Sequence, residues 1–442
     1  MEINKELLDN CVKAFREQQL AYTKYQNYYD GKHDILNNYQ FSENRSNMKI
    51  VVNFFKKFLT DELAYSLNNP VNYIDKLGNT EYIDRIDTDF STWEKVHDQK
   101  LVLNTNIFGH SFELRYFKDN EFKATVLTPL NCFVLEGQDA DKTVELAMNF
   151  FKKNRFSEKE MCDLYLPNKQ VIHYEMDGDD LKEIGRSEHA FMNVPVTVSE
   201  ANLYRRSMLD DIKELIDAYN CTISNMCNEL SDFRMAILKV IGTKFNNEDD
   251  VAAMSKKGVI QLQTGSDIDY LIKNLPDAFA NSSLREIKEN IYKLASHIDT
   301  NEKMTSNTSS SALRGRLITL ENKCSTIHTM LEQVIKSRLK EYFTILKATD
   351  SIDYNYRLIK LKFTMNIPQD LLALADIASK FKDVMSLETI YGLLPFVENP
   401  QMEYEKFIKQ QENMMGFEPD LDAISDDTAS DEVPLEEADT IE

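Results

Sequence analysis

One narrow apolar stripe constrains the fold of this chain more than any other feature of its sequence. Apolar residues between positions 209 and 233 alternate steps of three and four without a break. They are Leu209, Ile212, Ile216, Tyr219, Ile223, Met226, Leu230 and Phe233. The spacing predicts a helix of about 40 Å with one apolar seam, which is typical of a coiled coil rather than of a broad globular core face.

A second constraint is a polar segment between two further helical patterns. Between Ile298 and Ala312 the chain has no aliphatic residue, and only the thioether of Met304 is apolar. A short amphipathic pattern ends near His297, and a long helical pattern runs from Ala312 to about Lys347. We therefore expect a solvated loop, held by two helices and presented to a partner.

The charge of the chain is unevenly distributed. The 442 residues carry a net charge of −22, and eleven of the acidic residues lie in positions 417–442, which contain no Lys or Arg. We expect this acidic tail to be disordered. The remaining acidic body argues against tight binding of DNA phosphates, which needs clustered Lys and Arg.

Targeting signals and cysteine chemistry are absent from the sequence. No run of about 18 apolar residues exists, and the first residues lack the pattern of a signal peptide. The six Cys residues form no C-x-x-C pair and mostly lie inside apolar patterns. We interpret them as reduced, buried thiols of a cytoplasmic product.

The order of predicted elements indicates an α+β fold. Helices are expected over Lys5–Tyr29, from the end of the segment Asn47–Asn53 to about Leu67, and over Ile83–Asn104. Strands follow over Ser111–Phe117 and Phe122–Leu135 as a hairpin, then over Thr143–Lys152 and Met161–Glu175. After the stripe, a small α/β module closes at Pro276 and a helix returns through Leu284, Ile287, Ile291 and Leu294. A strand at Leu358–Met365 precedes helices beginning at Ser386 and Glu403.

Catalytic chemistry finds no support in the sequence. A phosphate-binding G-x-x-x-x-G-K-[ST] motif, G-x-S-x-G, H-E-x-x-H and paired C-x-x-C motifs are all missing. We therefore expect a protein that is not an enzyme, with no catalytic residues, no cofactor and no metal. Two alternatives stay open on the residues alone: an acidic coiled-coil scaffold that binds only proteins, and a metal-dependent nuclease or hydrolase that uses scattered Asp and Glu.

The order of several short motifs resembles the phage portal proteins, the head-to-tail connectors of tailed double-stranded DNA phages, in the branch found in siphophages of Gram-positive hosts. The motifs span residues 20–410 in a consistent order. They are Tyr28–His33, Val51–Asn53, Asn69–Tyr73, Gly109–Leu114, Thr128–Pro129, Val194–Pro195, Glu214–Asn220, Ser224, Ser311–Arg314, Leu320–Lys323, Ile367–Pro368 and Leu394–Phe396. The chain departs from the family at two places: it has Asn68-Asn-Pro70 in place of Gly-Lys-Pro, and Ser310-Ser311 in place of Ser-Gly. We expect the second departure to stiffen the polar segment that precedes the long helix.

The resemblance implies a portal architecture. It assigns 1–200 to the wing, 201–235 to the first stem helix, 236–282 to the clip and 283–297 to the returning stem helix. It assigns 298–311 to the tunnel loop, 312–366 to the rest of the wing, 367–416 to the crown and 417–442 to the acidic tail. It also implies a ring of twelve subunits, located in the virion at the capsid portal vertex and in the host cytoplasm during assembly.

Site residues and partners follow from these assignments. In the tunnel loop we expect Asn301, Lys303, Thr305 and Asn307 to face passing double-stranded DNA, because amides and hydroxyls with nearly cancelling charges give little net attraction. The eight stripe residues should form the subunit interface, since a head-to-tail interface that closes makes a ring. Thr243, Lys244, Gln261 and Gln263 are the expected partner-binding residues of the clip. The implied partners are the terminase large subunit, the head-to-tail adaptor, and the scaffolding and major capsid proteins, with no membrane.

Overall fold

The computed structural model describes residues 4–38, 46–138, 140, 142–233, 237–241, 265, 267–271, 277–299, 310–366, 376, 379–382, 384–394, 397 and 400–415. The chain divides into two compact units, Met1–Pro368 and Gln369–Glu442. Each unit is described by itself.

The first unit mixes helices and strands, which confirms the predicted α+β class. Its helices are α1 (Lys5–Tyr29), α2 (Ile35–Asn38), α3 (Phe54–Ser66), α4 (Glu81–Phe90), α5 (Glu94–Phe108), α6 (Leu209–Phe233), α7 (Asp277–Leu294) and α8 (Ser310–Thr349). The side chains of Asn4 and Asn53 cap α1 and α3 by accepting from the third backbone N–H beyond each of them.

Most helix boundaries agree with the sequence, and one prediction was wrong. The segment expected as a single helix over Ile83–Asn104 consists of α4 and α5, separated by a turn in which the N–H of Trp93 donates to the carbonyl of Phe90. Residues Ser91 and Thr92 stand at the break, and both have side chains that compete with helical hydrogen bonding. The two halves can then pack at different angles.

The strands form small antiparallel sheets. They are β1 (Asn72–Asp75), β2 (His110–Lys118), β3 (Glu121–Leu127), β4 (Cys132–Glu136), β5 (Val144–Lys152), β6 (Glu160–Tyr165), β7 (Gln170–Asp177), β8 (Asp180–Glu188), β9 (Val196–Glu200), β10 (Ile237–Ile241), β11 (Asp267–Leu271) and β12 (Ile359–Lys362). Strands β4 to β8 form a meander in sequence order, and a three-stranded sheet has the order β3-β2-β9. Strand β1 pairs with β12, and β10 pairs with β11.

The sheet topology corrects the predicted hairpin. Phe117 pairs with Phe122 across the turn, as expected. The second strand ends at Leu127, however, and Cys132–Glu136 belongs to the five-stranded sheet. Pro129 lies between them and has no N–H to donate to a ladder, so the chain leaves one sheet and enters the other there. Strands β8 and β9 were not predicted. Strand β8 is mostly exposed on both faces, which removes the alternation of apolar and polar residues.

The three largest apolar clusters account for most of the core of this unit. Helix α1 packs on the five-stranded sheet, where the ring of Phe15 stacks on Phe150 with centroids 3.9 Å apart. The second half of α8 packs against α4, α5 and the β1–β12 pair. A third cluster joins α3 to the first half of α6 and the end of α7. Because α8 has 40 residues, it spans about 60 Å and connects the polar segment at its start with the core at its end.

The glycine at the end of α5 has a specific steric role. Gly109 adopts a φ of +84°, and a Cβ atom there would lie 2.2 Å from the carbonyl oxygen of Arg205. Only glycine tolerates both the left-handed backbone and that approach. The residue therefore fixes how the chain before α6 crosses the end of α5.

The second unit contains α9 (Leu387–Leu393) and α10 (Pro400–Met415). Ser386 caps α9 by accepting from the N–H of Thr389, as its position in the sequence predicted. Pro400 occupies the first position of α10, where a missing N–H costs nothing. The acidic tail, 417–442, lies outside the described residues.

Two further expectations concern the cysteines and membranes. All six cysteines are free thiols, as predicted. Four of them are buried, whereas Cys221 and Cys227 are half-buried on α6. Burial raises the pKa of the Cys324 thiol to about 12, so this residue is unreactive at neutral pH. Within the described residues, no helix has both the length and the apolar character needed to cross a membrane.

Candidate functional site

The candidate site is the region where α6 and α7 pack together, immediately before the chain enters the polar segment. Ile212 and Ile216 of α6 are buried in one cluster with Ile291 and Tyr292 of α7. Phe54 of α3 covers this pair, with its ring 5.1 Å from that of Tyr219 and 6.1 Å from that of Tyr292. The two helices are therefore anchored at one end to the rest of the first unit.

The structure divides the predicted apolar seam into two parts. Leu209, Ile212 and Ile216 are at most 2% exposed within the chain itself. A side chain already buried in its own subunit has no surface left for a neighbour, so these three residues stabilise the subunit rather than an interface.

The other stripe residues keep accessible surface. Tyr219, Ile223 and Met226 are half-buried, and Leu230 is 60% exposed. Phe233 ends the helix, and its side chain lies outside the described part of the chain. The expected subunit interface stays a prediction for this second half of the stripe.

A polar ladder on a second face of α6 was not predicted from the sequence. The backbone N–H groups of Ser46, Met48, Ile50 and Val52 donate to the side chains of Asp232, Asn228, Ser224 and Asn220, respectively, at 2.6 to 2.9 Å. Four helical residues rise about 6 Å, and two extended residues about 6.6 Å, so the two repeats match. The extended segment 46–52 is thereby clamped along α6.

The signal for this ladder was present in the sequence. Asn220, Ser224, Asn228 and Asp232 recur at steps of four, which puts them on one helix face. Asn220, Ser224 and Asn228 are at most 1% exposed. A buried polar stripe at that spacing requires polar partners, and here the partners are backbone groups of a segment 168 or more residues away.

The ladder continues into a hydrogen-bonded corner at the end of α1. The imidazole of His33 is fully buried, with Nε2 3.1 Å from the carbonyl of Tyr28 and Nδ1 3.0 Å from Nδ2 of Asn220. Burial lowers the pKa of His33, so the neutral ring donates through Nε2 and accepts at Nδ1. Asn53 donates to the same carbonyl, and the hydroxyl of Tyr28 donates to Asp217 at 2.7 Å. Sequence motifs that are far apart in the chain meet at this corner.

The polar segment is flanked by a buried ionic triad formed by Glu62, His297 and Lys323. Oε1 of Glu62 lies 2.9 Å from Nε2 of His297 and 2.5 Å from Nζ of Lys323. Lys323 also donates to the carbonyl of Ala295 at 3.1 Å, and Asn106 donates to the other carboxylate oxygen at 3.2 Å. The triad joins α3 to residues on both sides of the segment.

The charges in the triad compensate one another. Burial by itself would raise the pKa of Glu62, but the adjacent Lys323 and His297 outweigh that effect and lower it. Glu62 is therefore ionised at neutral pH although only 1% of it is exposed. The ring of His297 also stacks on Phe58 with centroids 4.4 Å apart. The triad thus fixes the chain at His297, before the polar segment, and at Lys323, in the first third of α8.

A groove of about 790 Å³ borders the triad on the α7 side. Four of its charged lining residues form ion pairs, Lys288 with Asp299 and Arg285 with Glu289 at 3.0 Å, and Lys293 adds one further positive charge. Over its full length α7 contains three acidic and three basic residues. The surface next to the polar segment is therefore close to electrically neutral, although the chain is strongly acidic.

Several predicted site residues lie outside the described residues. These are Asn301, Lys303, Thr305 and Asn307 of the expected channel loop, and Thr243, Lys244, Gln261 and Gln263 of the expected partner-binding module. The structure does describe the pair β10–β11 within that module, in which Ile237 pairs with Leu271 and Ile241 with Asp267. The assignments of these eight residues stay predictions.

Comparison with known proteins gives two findings. The model of the family described as "Phage portal protein, SPP1 Gp6-like" matches residues 8–416. The chain is also 22% identical over 448 aligned positions to a protein named "Portal protein" from Clostridium phage phiCD119, an alignment that covers 93% of this chain and 96% of that protein. Both matches extend over nearly the whole chain, so they include the α6–α7 pair, the polar segment and α8.

Proposed function

Since this chain belongs to the SPP1 Gp6-like family of phage portal proteins, we propose that its copies form the channel through which the genome enters and leaves the capsid. Family membership makes the chain a structural component of the phage capsid, assembled as an oligomeric ring, and confirms the resemblance seen in the sequence. We further propose that residues 298–311 form the narrow lip of that channel. The neutrality of the surface that borders this segment is the observation that carries the proposal.

Weak attraction is a requirement for a channel that moves DNA. Each Lys or Arg that neutralises a phosphate adds affinity, and a ring multiplies every such contact by the number of subunits. The paired charges around the groove and the balanced composition of α7 keep that attraction small. The loop itself continues the pattern, because Glu302 and Lys303 are its only charged residues between Asn301 and Ser311.

Firm attachment at both ends suits a loop that bears load from moving DNA. The triad ties the chain before the loop and the helix after it to the same buried carboxylate of Glu62. The 40-residue helix α8 then connects the loop to the large apolar cluster around α4 and α5. A force on the loop is therefore transmitted to the core rather than absorbed by a free end.

The remaining assignments concern partners. We propose a ring of twelve subunits that uses the exposed half of the α6 stripe, with Ile223, Met226 and Leu230, as part of its interface. The clip, residues 236–282, would dock the terminase large subunit during packaging and the head-to-tail adaptor afterwards. Residues 367–416 would form the crown, and scaffolding and major capsid proteins would be further partners of the ring.

A charge-gain experiment tests the channel proposal. The variant Asn301→Lys with Asn307→Lys adds two positive charges per subunit, so packaging should slow and the defect should weaken as salt rises. The matched control is Asn301→Gln with Asn307→Gln, which keeps the amides and should package normally. Packaging would be measured in vitro as DNase-protected DNA, with rings verified by electron microscopy. Normal packaging by the lysine variant at low salt would contradict the channel assignment.

A further inference from the structure

Far from the proposed channel, the first unit contains a cluster of carboxylates around one guanidinium. Arg338 is fully buried and contacts three of them: Nη1 lies 3.2 Å from Oε1 of Glu94, and Nη2 lies 2.5 Å from Oδ1 of Asp98 and 2.6 Å from Oε2 of Glu113. His97 contacts Oε2 of Glu113 at 2.9 Å. Three carboxylates therefore contact one permanent positive charge, and the buried Arg115 also interacts electrostatically with Glu113.

Besides Oε1 of Glu113, which also has no hydrogen-bond partner within the described residues, two carboxylate oxygens of this cluster are left for another ligand. Asp98 is 3% exposed, and its Oδ2 has no hydrogen-bond partner within the described residues. Arg338 and Tyr73 both bond to Oε1 of Glu94, which leaves Oε2 of that side chain. Glu94 and Asp98 are four residues apart on α5 and thus lie side by side.

Both residues line a cavity of about 270 Å³ between α4, α5 and the segment Leu67–Asn72. Its other oxygen-bearing residues are Asn69, Asn72, Asp87 and Ser91. One water molecule takes about 30 Å³ of the liquid, so the cavity has room for an ion that keeps several waters. The side-chain amide nitrogen of Asn69 donates to the carbonyl of Thr364, so the amide oxygen of Asn69 is available as a ligand.

We propose that this cavity binds a divalent cation with oxygen ligands, Mg²⁺ or Ca²⁺, through Glu94 and Asp98. Such hard cations prefer carboxylate, amide and water oxygens, and Mg²⁺ in particular binds through one or two carboxylates while it keeps waters. The cation would add positive charge next to Glu94 and Asp98. It would also tie the segment Leu67–Asn72 to α5.

Two observations support the position on the cavity side. Ligand atoms of His97, Asp98 and Glu113 lie within 4.8 Å of one another, but Arg338 already provides the cation between Asp98 and Glu113. Oδ2 of the buried Asp98 has no hydrogen-bond partner within the described residues, and Asp98 and Glu94 both line the cavity, whereas Glu113 does not.

Calorimetric titration of the full-length protein with Ca²⁺ or Mg²⁺, after treatment with a chelator, tests the proposal. We expect a saturable step of about one ion per subunit below about 10 mM, and a higher thermal midpoint with the ion bound. Glu94→Gln and Asp98→Asn should each weaken that affinity at least tenfold. The matched control is Asp84→Asn on α4, which does not line the cavity and should bind like the wild type.

The acidic tail is common to all these proteins, so any weak association of ions with it cancels in the comparison. Absence of a saturable step in the wild-type protein would overturn the proposal, and this result needs no variant to fold. Equal affinity in the wild type and a folded Glu94→Gln variant would overturn it as well.

Discussion

Replacing the lysine of the buried triad should cost more stability than replacing its glutamate. In Lys323→Met, Glu62 keeps its charge but loses its main counter-charge, and with 1% exposure it cannot reach water. Removing one partner of a buried ion pair costs about 3–5 kcal/mol of stability. Because His297 and Asn106 still bond to Glu62, we expect Lys323→Met to lose about 3 kcal/mol, the lower end of that range. In Glu62→Gln, Lys323 can turn to solvent, because 28% of its side chain is already exposed. We expect about 1–2 kcal/mol there.

Native-state amide exchange can measure the difference in stability between Lys323→Met and Glu62→Gln directly beside the triad. The N–H groups of Ser296 and His297 donate to the carbonyls of Lys293 and Tyr292, beside the triad. A loss of about 3 kcal/mol should speed their exchange by roughly a hundredfold, since each 1.4 kcal/mol is a factor of ten. All proteins would be compared at one subunit concentration, because ring assembly also contributes to stability.

The matched control is a surface ion pair between Lys347, on the same helix α8, and Asp353, which lies beyond the end of that helix. Lys347 and Asp353 lie 2.8 Å apart with 61% and 72% of their side chains exposed, so Lys347→Met should change stability by less than about 1 kcal/mol. The reasoning is refuted if Lys323→Met costs no more than Glu62→Gln, or no more than this control.

The triad also has a defined pH dependence. Because the folded protein lowers the pKa of Glu62 below its ordinary value of 4.5, the contribution of its ionised form is fully present above that pH. It is lost as the pH falls through the lowered pKa of the folded state. The Glu62→Gln variant should lack this part of the acid sensitivity, and thermal midpoints measured between about pH 3 and pH 7 would reveal it.

Two more variants test the elements around α6. Asn228→Ala removes both hydrogen bonds to the backbone of Met48 and should cost about 2 kcal/mol, visible as faster amide exchange at Met48, whereas Thr222→Ala on the exposed side should be nearly neutral. Leu230→Asp should leave the subunit folded but weaken the ring in sedimentation velocity, whereas Ile216→Asp should unfold the subunit. Intact rings from Leu230→Asp would remove that residue from the proposed interface.

The sequence by itself determined most of the elements and the family. Periodicity predicted α6 over the residues it occupies, and it predicted α8 to within two residues at each end. The motifs from Tyr28–His33 to Leu394–Phe396 identified a portal protein over nearly the full length later matched by the family model. Local patterns succeed here because helix faces, caps and turns depend on residues close together in the chain.

Only the tertiary structure decided what each apolar or polar stripe contacts. The stripe of α6 was correct as a helix face, but its first three residues are buried by Phe54, Ile291 and Tyr292 of their own chain. The polar ladder and the Glu62 triad depend on partners from 168 to 261 residues away. Periodicity shows that a face must be buried or bonded, but the choice between the same chain and a neighbour depends on how distant segments pack, which no local pattern encodes.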